Sequence, residues 1–439
     1  MQLNGYDAPV SDFCCENNSV TRAFRLAKAG LQANIRFVRT GLLDSDSPCL
    51  MAGLDYDSPW TRDASINIWF SGLLLDSAVS ENTLLSVLQD TESGPVIQGQ
   101  YWDRIIWSLG AYRLWKISRS NEWLRFSYDA LRNTILLCEK EEKDPEDGLF
   151  FGAAVYGDGV SAYPLLYRNP DLSSGIIHWP QMHKDKARPV GGGLPMKALS
   201  LNCVYAETYR ILHEMSSVLG YKDTKWNLSA ERLKQSINNR FWNENKGSYD
   251  YLLGESDAQE SLGLAFALLF DIADDRRASA ILQNTYVTKH GIPCVWPVFP
   301  PYGEKPGSYG RHSGTIWPHI QGFWALGALH RGSTDAFVNE LLSLSWHAVR
   351  DDQFAEIYHP EDGRIYGGMQ EGGGKMLEWR SCSWQTWSAS AYIAMILYGI
   401  CGIDPNGKSE PAPLYDPRIG HGSLQMCYPV NGNIVRIDF

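Results

Sequence analysis

Hydrophobic side chains recur every three or four positions over most of the chain. This spacing predicts many helices and few strands. We expect twelve helices, with ends uncertain by a few residues, at about 19–37, 62–78, 80–90, 101–118, 121–142, 195–219, 223–242, 256–273, 275–286, 314–332, 334–350 and 384–402.

The predicted helices are of two kinds. Segments such as SGTIWPHIQGFWALGAL and WQTWSASAYIAMILYGI are apolar nearly all round, whereas TDAFVNELLSLSWHAVRD is amphipathic. An inner ring of buried helices wrapped by an outer ring of amphipathic helices would give this pattern. The sequence therefore predicts an all-α fold, an (α/α)6 toroid of six helical hairpins. An all-helical solenoid is the alternative, although the chain shows no fixed repeat period.

Four connections are too long to be plain turns, and they are rich in Gly, Pro and Trp. Loops on a rigid scaffold commonly carry function, so we expect the site where these loops gather at one end of the inner helices. They cover residues 46–61, 143–194, 287–313 and 351–383.

Composition narrows the class of protein. The 439 residues are 44% hydrophobic and show no obvious linker, which favours one catalytic domain over 1–439 with a Pro/Gly-rich extension at 404–439 packed on it. The net charge of −11 and the scattered Lys and Arg argue against nucleic acid or an anionic membrane surface as a partner. Oligomeric state stays open.

The nine cysteines form no CxxC pair and no metal-ligand spacing. This pattern favours a reducing compartment and no bound metal. Because no signal-peptide pattern or membrane-spanning apolar run is visible, we expect a cytoplasmic protein.

Tryptophan is abundant, with 16 residues, and several of them lie in the long loops. A large aromatic core would explain some of them. Loop rings near carboxylates also suit a sugar-binding cleft, because apolar sugar faces stack on aromatic rings. The loop residues of this kind are Trp60, Trp179, Trp296 and Trp379.

Two loop carboxylates stand out. Asp158 lies between Gly157 and Gly159 and is flanked by Tyr156 and Tyr163, where loss of solvation would raise its pKa and suit a general acid. A tight Gly-Asp-Gly turn is the structural alternative. Glu356 heads the segment EIYHPEDG and could instead be a surface residue ahead of a turn.

Two Trp–Asp segments stand at predicted helix starts. SPWTRDASINIW contains Trp60, Arg62 and Asp63, and QYWDRIIW contains Trp102 and Asp103. Asp63 could simply cap its helix. An Arg–Asp pair at the mouth of an inner helix could also hold sugar hydroxyls through charge-assisted hydrogen bonds.

Several of these motifs together resemble a known family. EIYHPEDG resembles the Glu-Asn-Tyr-Asn-Pro-x-x-Gly motif of glycoside hydrolase family 63, the mannosyl-oligosaccharide glucosidase and mannosylglycerate hydrolase group. RHSGTIWPHIQGFWALGAL is similar to the Gly-Pro-Ile-Trp helix of that family, and CSWQTWSASAYIAMIL to the closing helix of its six-hairpin clan, which includes trehalases. The resemblance extends from about residue 20 to 403.

The resemblance implies an inverting glycosidase on an (α/α)6 barrel, with no cofactor. It implies that Asp158 is the general acid and Glu356 the general base, and that Asp63 holds the sugar. Such a mechanism needs one protonated and one ionised carboxyl, so Asp158 should have the raised pKa. The other expected substrate-binding residues are Trp60, Arg62, Trp102, Asp103, Tyr156, Trp179, Trp296, Trp317, Trp379 and Trp384.

We therefore predict an exo-acting hydrolase of an α-linked sugar, with an α-glucoside di- or oligosaccharide as the favoured substrate. Two alternatives remain: a carbohydrate phosphorylase on the same toroid, which would use phosphate in place of water, and a non-catalytic sugar-binding protein.

Overall fold

The computed structural model describes residues 11–222, 224–404, 409–427 and 433–439. This part of the chain is mainly helical, and a helix occupies each of the twelve predicted positions. A thirteenth, single-turn helix lies in the 143–194 loop. The helices are α1 Asn18–Ala33, α2 Thr61–Ser71, α3 Ser77–Leu85, α4 Asp103–Ser118, α5 Asn121–Glu142, α6 Trp179–Met182, α7 Leu199–Val218, α8 Lys225–Arg240, α9 Ser261–Leu269, α10 Asp275–Asn284, α11 Pro318–His330, α12 Thr334–Asp351 and α13 Thr386–Ala394, which continues as a π-helix over Met395–Ile400.

The described strands are short and form small antiparallel sheets of two or three strands. They are β1 Ser11–Cys15, β2 Ile35–Val38, β3 Ser47–Leu50, β4 Leu88–Gln89, β5 Val96–Ile97, β6 Trp242–Asn243, β7 Ser248–Tyr249, β8 Gln259–Glu260, β9 Val295–Trp296, β10 Met369–Gly372, β11 Lys375–Glu378, β12 Gly422–Cys427 and β13 Ile434–Asp438.

Six helices pack against one another in a series that returns to its start: α2 contacts α4, then come α7, α9, α11 and α13, and α13 contacts α2. These inner helices are buried on nearly every side. In α9, for example, every residue except Leu269 is buried. A helix that is apolar all round must be covered by neighbours on all sides, so the hydrophobic pattern accounts for the inner position.

The remaining long helices cover the inner ones. Helix α5 buries Trp123, Leu124, Ser127, Tyr128 and Leu131, which share one face at spacings of three and four residues. Helices α3, α5, α8, α10 and α12 each contact an inner helix, and α1 contacts both α12 and α13. The amphipathic segments are therefore the outer helices.

The two C-terminal strands, β12 and β13, form a three-stranded sheet with β1. Strand β12 lies between β1 and β13, and the Phe13 and Phe439 rings stack with centroids 5.8 Å apart. Residues 405–408 and 428–432 of the expected extension lie outside the described residues. Within the part that is described, no helix is long and apolar enough to cross a membrane.

Candidate active site

A cavity of about 260 Å³, here called the cleft, opens at the N-terminal ends of α2, α11 and α13. The long loops supply much of its wall. Eight of the residues expected to form the site line the cleft: Trp60, Arg62, Asp63, Tyr156, Asp158, Trp317, Glu356 and Trp379.

Asp158 lies in the 143–194 loop with 33% of its side chain exposed to the cleft. Its Oδ2 accepts a hydrogen bond from Arg62 Nη2 at 3.1 Å, and its Oδ1 lies 3.3 Å from His312 Nε2. Burial raises the pKa of Asp158, but the Arg62 charge and the His312 contact outweigh burial and hold it below its ordinary value. The expectation of a raised pKa is therefore wrong for the protein without substrate.

Arg62 is buried at the first turn of α2 and connects two carboxyl groups. Its Nη1 bonds both oxygens of Asp103, at 2.9 and 3.1 Å, and the carbonyl of Val155 at 3.2 Å. Asp103 thus stands behind Arg62 and does not line the cleft, so it positions the guanidinium and is not placed to touch a sugar. Burial raises the pKa of Asp103 to about 7 even though Arg62 opposes the shift.

Glu356 is almost fully buried and accepts three hydrogen bonds. Its Oε2 accepts from Arg311 Nη2 at 2.7 Å and from the Cys382 backbone N–H at 3.1 Å, and its Oε1 accepts from the Tyr56 hydroxyl at 3.0 Å. These three charge-assisted or neutral hydrogen bonds fix the orientation of the Glu356 carboxyl group. Arg311 and His312 are consecutive residues, so one short segment holds both Glu356 and Asp158.

Asp63 lies at the buried side of the cleft, in the first turn of α2. Its Oδ1 accepts from Gln385 Nε2 at 3.3 Å. Burial raises the pKa of Asp63 to about 8; Arg62 opposes this shift, and the carboxylates of Glu356, Asp103 and Asp158 add to it. At neutral pH Asp63 is therefore a carboxylic acid that can donate a hydrogen bond.

Aromatic rings form the rest of the wall. Trp317 stacks on the His312 imidazole, with centroids 4.9 Å apart and planes at 20°. Tyr156 and Trp379 are further ring residues of the lining, and Trp60 stands at the rim with 40% of its surface exposed. Such rings offer flat apolar faces to a sugar.

The structure does not bring four of the expected tryptophans to the cleft. Trp102 is fully buried in the core against Tyr101, and Trp179 is buried between Tyr167 and His183.

Trp296 and Trp384 lie elsewhere as well. The Trp296 ring stacks on Tyr286, with centroids 4.4 Å apart, and the carbonyl of Trp384 accepts from Asn34 at the end of α1. None of these four tryptophans lines the cleft as expected.

Some residues of the cleft were not among the site residues expected from the sequence. Tyr56, Trp387 and Gln370 line the cleft, and Arg311 and His312 hold the two carboxylates. Arg311 and His312 begin the RHSGTIWPHIQ motif, so the motif itself was the signal that could have identified them.

A larger cavity of about 540 Å³ lies beside Trp69 and Tyr112, away from these groups. Its buried carboxylate Glu207 already pairs with Arg210 at 2.6 Å, and Glu214 bonds the same guanidinium at 3.2 Å. The smaller cleft is the candidate active site, because the predicted acid and base both line it and neither lines the larger cavity.

Within the described residues, no group of three or more His, Cys, Asp or Glu side chains is arranged to hold a metal ion. The chemistry that the cleft residues themselves can perform is proton transfer. Asp158 and Glu356 face the same cleft, one partly exposed and one held by converging donors.

Comparisons with known proteins identify relatives of this architecture. The family model of the mannosylglycerate hydrolase MGH1-like glycoside hydrolase domain matches residues 64–388. The fold is similar to that of the GH63 mannosylglycerate hydrolase from Thermus thermophilus in complex with glucose, at 16% identity and a TM-score of 0.61 over 84% of this chain and 98% of that one. A search of the curated proteins found no match.

Two larger proteins share the fold over nearly the whole of this chain. A structure described as a sialidase has a TM-score of 0.69 at 13% identity, and a GH78 family rhamnosidase of Bacillus sp. GL1 has a TM-score of 0.63 at 13% identity. Each alignment covers 98% of this chain but only 40% of the other. At these identities the similarity is evidence for a shared fold and for nothing further.

Proposed function

Because the chain belongs to the family of mannosylglycerate hydrolase MGH1-like glycoside hydrolase domains, we propose that it is an inverting, exo-acting hydrolase of an α-linked sugar. The favoured substrate is an α-glucoside di- or oligosaccharide, and the helical ring is an (α/α)6 toroid. The observation that carries the proposal is that Asp158 and Glu356 face one cleft, held there by the consecutive residues His312 and Arg311.

In this mechanism Asp158 protonates the oxygen of the leaving sugar. Glu356 removes a proton from the water that attacks the anomeric carbon from the opposite side. Inversion requires room for that water, with the two carboxyl groups about 6.5–9.5 Å apart. The hydrogen bonds from Arg311, Tyr56 and the Cys382 N–H hold the carboxyl group of the proposed base in one orientation.

The acid role of Asp158 requires that substrate binding raise its pKa. In the protein without substrate, 33% of the side chain is exposed. A sugar ring that fills the cleft excludes water from this surface, and loss of solvation favours the protonated carboxyl.

The size of the cleft supports action at a chain end. Its volume of about 260 Å³ is below the roughly 300–1,000 Å³ of pockets that enclose drug-sized ligands, and it suits one sugar ring. The protonated Asp63 would donate a hydrogen bond to a hydroxyl of that ring, while Trp317 and Trp379 would cover its apolar faces.

We place the leaving sugar on the side of the 143–194 loop, which carries the proposed acid. Ser174 and Gly175 of that loop line the cleft, and His178 lies directly beside Gly175. The leaving sugar would pass over this edge.

The activity is tested with a panel of α-linked di- and oligosaccharides assayed for released monosaccharide. We expect release of one terminal sugar, with proton NMR showing that its first-formed anomer is inverted. Release of the retained anomer would refute the inverting mechanism, and binding without turnover would point to a sugar-binding protein.

The roles of the two carboxyls are tested by D158N and E356Q. Each variant should fold normally and lose about 10²–10⁴-fold in kcat, the usual contribution of an acid or base. Turnover at the wild-type rate in either variant would remove that residue from the mechanism.

A further inference from the structure

Tyr286 differs from the other exposed aromatic residues in the described part of the chain. Six aromatic side chains are exposed there: Phe37, Trp60, Tyr221, Tyr286, Trp346 and Tyr415. Single exposed rings are ordinary on a protein surface. Among these six, however, only the Tyr286 ring stacks nearly parallel on a second ring. Its centroid lies 4.4 Å from that of Trp296, and the two planes meet at 18°.

A single glutamine holds these two residues in place. Gln259 Oε1 accepts a hydrogen bond from the Tyr286 backbone N–H at 2.8 Å, and Gln259 Nε2 donates to the Tyr286 carbonyl at 3.0 Å. The same Nε2 donates to Ser261 Oγ at 2.9 Å, and Gln259 is the strand partner of Trp296 between β8 and β9. The positions of Tyr286 and Trp296 are therefore fixed relative to each other.

The stacking determines which face of the Tyr286 ring is open. Trp296 covers one face, yet 44% of the Tyr286 surface is exposed. Within the described residues no other ring contacts Tyr286, so the exposed surface includes the opposite face. Val287 follows it in the chain and is 40% exposed. Tyr286, Trp296 and Val287 are here called the platform.

The platform is small, flat and rigid, and these properties set the class of its ligand. A stable protein interface buries about 800 Å² on each partner, whereas one aromatic side chain buries about 150–250 Å². The platform is therefore too small for a folded partner. It suits the flat C–H face of a pyranose, which packs against the electron-rich face of an aromatic ring. A ring that is already held in place also loses little conformational freedom on binding.

The platform lies outside the cleft but on a strand that supports the cleft wall. Neither Tyr286 nor Trp296 lines the cleft. Two residues before Trp296, the carbonyl of Cys294 accepts a hydrogen bond at 3.3 Å from the hydroxyl of Tyr156, which does line it. Two residues of extended chain span about 7 Å. The platform is thus a separate surface that is close in the chain to the candidate active site.

We propose that Tyr286 and Trp296 form a non-catalytic sugar-binding site, in which a pyranose residue of an oligosaccharide stacks on the open face of Tyr286. Trp296 supports the ring from below, in place of the role in the cleft that was expected from the sequence. The choice of a sugar as ligand rests on the proposed function and on membership of a glycoside hydrolase family. The site itself needs no catalytic role for Asp158 or Glu356.

Fluorine NMR of protein labelled with fluorotyrosine observes the platform directly. The protein carries D158N so that the probe, maltohexaose, stays intact, and the Tyr286 signal is identified by its absence in Y286F. We expect maltohexaose to shift this signal in a saturable way. The signal of Tyr221, an equally exposed ring that is tilted by 53° against Tyr128, should not move. An unchanged Tyr286 signal at millimolar maltohexaose would overturn the proposal.

Two variants test whether the flat ring makes the contact. Their affinity for maltohexaose is followed through the Trp296 signal of fluorotryptophan-labelled protein, which is identified by its absence in W296F. Y286F keeps the ring and should keep the affinity. Y286L still covers Trp296 with an apolar side chain but offers no flat face, so we expect about a tenfold loss. Equal affinity in Y286F and Y286L would contradict stacking on the ring.

Hydrolysis of para-nitrophenyl α-glucoside measures the cleft separately. Y286L should leave its kcat and KM unchanged, because this small substrate does not need the platform. If no α-glycoside is hydrolysed but the Tyr286 signal shifts, the proposed function fails and the platform stands. If hydrolysis occurs without a shift, only the platform fails. Dimerisation that Y286L abolishes, measured by sedimentation, would assign the surface to a second copy of the chain and overturn the proposal.

Discussion

At neutral pH the Asp63 carboxyl is protonated in the folded protein, whereas it would be ionised in the unfolded chain. Its ordinary pKa of 3.8 is raised to about 8, first by burial. The variant D63N replaces the neutral carboxylic acid by a neutral amide of the same shape. We therefore expect D63N to be more stable than the wild type at pH 7, although it changes a residue proposed to bind the sugar.

The magnitude follows from proton linkage. Well below pH 3.8, Asp63 is protonated in both states, and the two proteins should have similar stability. As pH rises from 3.8 toward 8, the unfolded wild type loses the proton while the folded one keeps it. The free energy of unfolding of the wild type then falls relative to D63N by up to about 1.4 kcal/mol per pH unit, which reaches about 4 kcal/mol at pH 7.

The assay is chemical unfolding of both proteins at several values between pH 4 and pH 8. The difference in their free energies of unfolding is plotted against pH, since contributions from distant groups cancel in it. D275N, which removes a fully exposed carboxyl at the start of α10, measures how much of any slope comes from the loss of one surface charge.

A difference that does not depend on pH would refute the reasoning, because it would mean that Asp63 ionises alike in both states. If the wild type instead became more stable relative to D63N as pH rises, the charge of Arg62 would have a larger effect on the pKa of Asp63 than burial does. If D63N is more stable but no longer binds the sugar, Asp63 lowers stability while it serves binding.

The remaining predictions concern Gly159 and the nucleophile. G159A should displace Gln370, whose Oε1 would lie 2.0 Å from the new Cβ, lower stability by about 1–3 kcal/mol because the site becomes overpacked, and reduce turnover. The control G30A should be tolerated, because its new Cβ meets only contacts of 3.6 Å. Equal stability of the two variants would contradict the steric explanation. Inorganic phosphate should neither accelerate sugar release nor yield a sugar phosphate when products are separated by ion exchange; formation of a sugar phosphate would identify a phosphorylase.

Much of the fold could be predicted from the sequence because helix periodicity is a local signal. All twelve predicted positions hold helices, and the two segments predicted to be apolar nearly all round, now α11 and α13, lie in the inner series. The ends of the shorter inner helices were less accurate. The segment predicted as 256–273 begins only at Ser261, because residues 259–260 pair with β9 and no local pattern reveals that pairing. The resemblance to glycoside hydrolase family 63 is confirmed by the family model over residues 64–388.

Eight of the thirteen expected site residues line one cleft, but their electrostatics could not be predicted from the sequence. Glu356 and Asp158 do face one cleft, as short motifs suggested. The direction of the pKa shift of Asp158 was wrong, because its neighbours Arg62 and His312 come from segments 96 and 154 positions away in the chain. The local sequence of Asp158, with glycine on both sides, suggests loss of solvation. The Arg62 guanidinium that opposes this effect comes close only in the folded chain.

Charge in the cleft also bears on what it binds. Three carboxyl groups and two guanidinium groups line the cleft, and both guanidiniums already bond carboxyl groups. Arg62 bonds Asp158 and, behind the cleft, Asp103, and Arg311 bonds Glu356. An anion entering the cleft would have to displace one of these pairs and leave a buried charge without its partner, which typically costs several kcal/mol. A neutral sugar carries no such cost, because its hydroxyls can donate to the carboxylates and accept from the protonated Asp63. For the proposed mechanism, the pairing of both guanidiniums with carboxyl groups is therefore an argument for water over phosphate as the second reactant.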